Sequence, residues 1–129
     1  MWKEDKMNIG IIGSRRRNTQ NDCDLIEKQL INILNSGTFD TFQIVSGGCP
    51  KGGDRFAEVL AKKHNLDIII YPADWKKHGK GAGFIRNTDI ARESDVLIAC
   101  VSVDRTGGTE DTIRKFLKMK NYSDKLYLV

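Results

Sequence analysis

The chain is poor in the residues that carry specialised chemistry. Its 129 residues include only three cysteines, two histidines and two prolines. Cys23, Cys49 and Cys100 lack zinc-ligand spacing, and their odd number leaves no complete disulfide set. They read as reduced thiols, with Cys100 in an apolar core run. Cys49 reads as a small residue in a tight turn rather than a nucleophile, because no histidine lies near it in sequence. No metal site and no cofactor are expected. No apolar run approaches the roughly 20 residues that a membrane helix needs, and MWKEDKMNIG lacks a signal-peptide core. The membrane is therefore excluded as a partner and the cytoplasm is the default location. A hydrophobic share of 40% against 29% charged residues excludes a disordered chain. The net charge of +4 suits anionic small ligands as well as nucleic acid. No basic stripe interleaved with aromatics accompanies it, which disfavours nucleic acid.

What the chain does have is alternation. NIGIIG, FQIVS, DIIIY, DVLIACV and KLYLV are short apolar runs. Between them lie helical patterns. One carries Leu25, Ile26, Leu30, Ile33 and Leu34 after a capping box of Thr19 and Asp22. A second runs from about Gly53 to His64, a third starts near Ala82 and contains Arg86, and a fourth carries Ile113, Phe116 and Leu117. Strand alternating with helix predicts parallel strands joined by right-handed crossovers. Strands that are apolar throughout predict a sheet covered on both faces. The expected fold is α/β, a single doubly wound Rossmann-like domain over residues 7–129 with a five-stranded parallel sheet, after a short lead-in at residues 1–6.

The unusual residues collect after the strands. Gly13-Ser14-Arg15 follows the first. Ser46-Gly47-Gly48-Cys49-Pro50-Lys51-Gly52-Gly53-Asp54 follows the second, Pro72, Asp74 and Trp75 the third, and Thr106-Gly107-Gly108-Thr109 the fourth. In such sheets ligands bind beyond the carboxyl ends of the strands, at the point where strand order reverses. Two of the loops place glycines directly before a helix, where free backbone N–H groups can hold an anion. Gly47, Gly48, Gly107 and Gly108 are expected to hold conformations or contacts that alanine cannot match. Within the triplet Arg15-Arg16-Arg17, position predicts that Arg15 meets the ligand and Arg17 faces solvent.

The series GSR, VSGGCPKGGD, PADWKKHGKGAGFIRN, SDVLIAC and TGGT resembles the YspA-type family. That family belongs to the SLOG superfamily, the Rossmann-like group that contains DprA and the LOG phosphoribohydrolases. The resemblance implies a domain that binds nucleotides or nucleotide-derived ligands and that can pair through helices. It implies that Ser14, Arg15, Ser46, Gly47 and Gly48 border the ligand. Lys51 and Asp54 would contact its phosphate and ribose, or order the loop. Arg86-Asn87 falls where LOG enzymes carry an arginine-lysine pair, and Gly107-Gly108-Thr109 resembles the phosphate-binding part of their GGxGTxxE motif. The glutamate position of that motif holds Thr112, so LOG-type hydrolysis lacks its carboxylate, with Asp54 or Asp74 as the substitutes.

Single residues keep two readings. Arg86 can fork onto a phosphate or pair locally, for instance with Asp89. Trp75 can stack on a base or cap the core beside Pro72. His78 reads as a loop histidine and His64 as a helix-end residue. The favoured function is binding of a nucleotide-like phosphorylated small ligand, with sensing as one use. The alternatives are hydrolysis of a nucleotide N-glycosidic bond and, second, DprA-like binding of nucleic acid. The candidate site residues are thus Gly13, Ser14, Arg15, Ser46, Gly47, Gly48, Lys51, Gly53, Asp54, Asp74, Trp75, Arg86, Asn87, Gly107, Gly108 and Thr109.

Overall fold

A computed structural model describes residues 6–37, 39–121 and 124–129. The expected lead-in lies outside the described residues except for Lys6, which opens the first strand. The strands are β1 (Lys6–Gly13), β2 (Thr41–Ser46), β3 (Asp67–Ile70), β4 (Val96–Cys100) and β5 (Leu126–Leu128). The helices are α1 (Gln20–Leu34), α2 (Gly53–Lys63), α3 (Trp75–His78), α4 (Ala82–Glu93) and α5 (Gly108–Lys120). The five strands form one sheet in the order β3-β2-β1-β4-β5, and every neighbouring pair is parallel.

The period-2 geometry of a strand sorts its side chains between two cores. Ile9, Ile11, Ile44, Val96, Ile98 and Cys100 point to one face, where they bury Ile26 and Leu30 of α1 and Phe56 and Leu60 of α2. Ile12, Val45, Leu97 and Ala99 point to the other, against Ile90 and Ala91 of α4 and Ile113 and Phe116 of α5. The sheet is therefore doubly wound. The chain winds outward from β1 through β2 to β3, crosses back to β4 beside β1, and winds the other way. This reversal opens a crevice between the carboxyl ends of β1 and β4.

The capping box of α1 forms as its sequence predicts. Thr19 Oγ1 accepts from the Asp22 amide at 3.2 Å, and Asp22 Oδ2 accepts from the Thr19 amide at 3.1 Å. Three expectations are corrected. The polar stretch after β3 is not loop throughout: it holds α3, capped by Asp74 Oδ1 accepting from the Lys77 amide at 3.1 Å, and a 3₁₀ turn at Gly79–Gly81. Trp75 is 57% exposed and does not cap the core. Arg17 does not face solvent. Its guanidinium is half-buried and donates to Asp22 Oδ1 (2.8 Å), Val101 O (2.7 Å) and Val129 O (3.0 Å), which ties the β1–α1 turn to the end of β4. Among the described residues no helix is long and apolar enough to cross a membrane.

Candidate functional site

A cleft of about 300 Å³ occupies the crevice, at the small end of ligand-sized pockets. Gly13, Ser14 and Arg15 form its β1 side, and Asp54 lies across from them at the start of α2. Arg86 and Asn87 of α4, with Gly107, Gly108 and Thr109 at the start of α5, complete it. The structure thus brings together nine of the residues expected from sequence. Ser46, Gly47, Gly48, Lys51 and Gly53 do not line it. Asp74 caps α3 and Trp75 opens it, and neither lines the cleft.

The glycines divide by cause. Gly53 is required by close approach: an added Cβ would collide with the backbone of Ile12 and Gly13, because α2 starts directly on β1. Gly107 is required by its φ of 102°, a conformation that L side chains rarely adopt. Gly47 abuts the Arg86 guanidinium, and Gly48 has φ 78°. Gly108 departs from the expectation. Its φ is not positive, and the nearest atom to an added Cβ is Asn87 Nδ2 at 3.7 Å.

The β2–α2 loop is braced from within. The buried Asp54 carboxylate accepts from the Cys49 amide at 3.1 Å. Ser46 Oγ accepts from the Gly48 amide at 3.4 Å, and Asn18 Oδ1 accepts from the Gly52 amide at 2.9 Å. These amides are committed and do not stand open to an external anion. Burial raises the pKa of Asp54 above the ordinary carboxyl value, opposed by the Cys49 amide and the Arg86 charge.

Arg86 is half-buried and held at two atoms. Its Nη1 donates to Gly47 O at 2.8 Å and its Nε to Asn87 Oδ1 at 3.1 Å. Asp89, the local partner considered from sequence, pairs with Arg92 instead. Asn87 donates to Asp111 Oδ2 at 3.2 Å and to Gly108 O at 3.3 Å, and Lys115 donates to the same Asp111 oxygen at 2.9 Å. Asn87 therefore connects Arg86 to α5. The start of α5 has no side-chain cap, so its first N–H groups face the cleft without a protein side chain on them. Arg15 is exposed. Among the described residues it makes no hydrogen bond or ion pair, and its charge acts on Asp54.

Sequence reasoning missed four polar members of the wall: Arg16, Cys49, Thr106 and Thr112. Thr112 carried a signal, since it stands at the motif's glutamate position. Its hydroxyl donates to Gly108 O at 3.2 Å. Arg16 and Thr106 sat within or beside residues already singled out, but their mutual contact depends on the folded loops.

A parallel α/β sheet ordered 3-2-1-4-5, with a glycine-bordered cleft at its switch point, defines a Rossmann-like domain. Residues 11–78 match the YspA, cpYpsA-related SLOG family, and the chain belongs to that family. It is also similar to the Gene 61 protein of Mycobacterium phage D29, with 30% identity over 91 residues that cover 64% of this chain and 72% of that protein. No solved structure matches the chain. Family membership supports a nucleotide-related function in general terms.

Proposed function

We propose that the chain binds a nucleotide or nucleotide-derived phosphorylated small ligand in the switch-point cleft. The phosphate lies against the start of α5 and the guanidinium of Arg15, with Arg86 beside it. Asp54 accepts a hydroxyl or amino donor of the ligand. The observation that carries this reading is the convergence of complementary groups in one cleft: the α5 N-terminus without a side-chain cap, Arg15 with no hydrogen bond or ion pair among the described residues, and Asp54, a carboxylate that forms no ion pair among them. The β2–α2 glycine loop contributes shape more than anion contacts, because its Gly48, Cys49 and Gly52 amides are already bonded.

Arg15 gives the sharper test, since Arg86 also braces the loop. A charge-assisted hydrogen bond contributes roughly 1.5–3 kcal/mol. Arg15→Ala should therefore weaken a mononucleotide about 10- to 150-fold and leave its nucleoside nearly unaffected. Calorimetric titration of both proteins with both ligands decides the matter. Equal losses for the two ligands would remove phosphate from this position.

One observation favours the hydrolytic reading as a second. Asp54 is a carboxyl group in the cleft, and burial pushes its pKa up, as suits a group that must exchange a proton at a glycosidic bond. Incubation with nucleotides should then release free base, and Asp54→Asn should abolish the release. Unchanged nucleotides after prolonged incubation rule the hydrolysis out.

A further inference from the structure

Arg16 differs from both its neighbours in the triplet. It reaches from the β1–α1 turn across to the β4–α5 loop and closes a clasp over the switch point. Its Nη1 donates to Asp104 Oδ2 at 2.8 Å, and its Nη2 to Asp104 Oδ1 at 2.7 Å and to Thr106 Oγ1 at 3.1 Å. Arg16 and Thr106 both line the cleft, and Thr106 directly precedes the glycines that start α5.

We propose that this clasp is a displaceable strap, in which Arg16 exchanges Asp104 for the anionic group of a ligand entering the cleft. The inference rests on the phosphate reading above and adds a second arginine to it.

Three features support the exchange. The first is the low cost of opening. The two side chains are 57% and 53% exposed, and water and salt screen such a pair, which contributes little to stability. Arg17, bound through half-buried bonds, has no such freedom. The second is that Asp104 keeps partners when Arg16 leaves. Its Oδ1 also accepts from Ser102 Oγ and from Thr106 Oγ1, each at 2.9 Å, and its other oxygen can turn to water. The third is geometric. The fork that Arg16 presents to a carboxylate is the one that grips a phosphate in two parallel hydrogen bonds. Closed, the clasp joins the β1–α1 turn to the β4–α5 loop. With ligand bound, Arg16 leaves that loop and holds the anion.

Inorganic pyrophosphate is a suitable probe, followed by NMR in the parent, Asp104→Asn, Arg16→Ala and the double variant. In the parent, the Arg16 side-chain Nε–H signal should shift together with the Gly107 and Gly108 amides. Asp104→Asn should tighten pyrophosphate about 3- to 10-fold by freeing Arg16. The same substitution in the Arg16→Ala background should change nothing, because the gain acts through Arg16. If the gain persists without Arg16, Asp104 merely repels the anion and the exchange is wrong. It is equally wrong if the amides shift while the Arg16 signal stays still, though the cleft then remains an anion site. Silence of the amides up to high millimolar probe defeats the phosphate reading, and the exchange falls with it.

Discussion

Asp54 holds the Cys49 amide in place from inside the fold, yet burial disfavours its charge. The two effects act on the same carboxylate, and burial is the larger. The sign of the pH dependence follows. The native state binds the Asp54 proton more tightly than the unfolded chain does, so this group's contribution to stability falls as pH rises through the carboxylate range. It is most favourable below the unfolded carboxyl pKa of about 3.9 and least favourable above the raised folded value. Asparagine keeps an oxygen for the Cys49 amide and carries no charge. Asp54→Asn should therefore gain on the parent progressively as pH increases, measured by urea unfolding between acid and neutral pH. A difference that stays constant across that range would show that burial does not dominate here. The arginine triplet teaches the limit of reading residues singly. Arg15, Arg16 and Arg17 are identical letters with three fates: open to the cleft, clasped to Asp104, and bonded under the end of β4. Arg17's partners Val101 and Val129 lie 84 and 112 positions away, and no local rule connects them to it.

At the level of elements, the strands and the four long helices were legible because their apolar spacing is regular and their stop signals are strong. Every strand's carboxyl end falls within about one residue of the end of the apolar run that announces it, while β1 starts two residues before its run, at Lys6. α3 was not legible, since a four-residue helix shows no periodicity, and its cap at Asp74 was read as a ligand contact. The starts of α2 and α5 look alike in sequence, each a pair of glycines before a helix, but they differ physically. α2 is pressed onto β1 at Gly53, whereas Gly108 has open surroundings and a backbone that alanine can adopt. Gly53→Ala should cost about 3 kcal/mol, as overpacking against fixed backbone does. Gly108→Ala should instead stabilise by up to about 1 kcal/mol, because it restricts the unfolded chain. Chemical unfolding of the two variants beside the parent gives both numbers. Matching losses at the two sites would contradict the distinction. Neither helix start carries a side-chain cap. At α2 the close packing on β1 and the Gly52 amide's bond to Asn18 restrict access, whereas the glycines that start α5 line the cleft.

The whole molecule explains what sequence placed only loosely. Strands apolar on both faces announce a doubly wound sheet, but not which strands are neighbours. The order 3-2-1-4-5 puts the reversal between β1 and β4, and so selects the GSR turn and the TGGT loop as cleft walls while relegating the residues of α3. A cleft of about 300 Å³ at that reversal has room for one small ligand, and the charges that converge in it are few. This bears on the nucleic-acid alternative, which the net charge of +4 leaves open. A protein that tracks a single strand releases counterions in proportion to the phosphates it neutralises, with a log–log salt slope of about 0.7 for each. If the cleft is the binding site, a mononucleotide and an oligonucleotide ending in the same nucleotide should bind with similar affinity and a similarly shallow slope, since only the terminal nucleotide enters. Arg15→Ala should weaken both alike. Fluorescence anisotropy of the two labelled ligands over a range of salt concentrations measures the slopes directly. An oligonucleotide slope above about 3, which corresponds to roughly four phosphates, would require a basic surface outside the cleft and would make nucleic acid, not a small ligand, the partner.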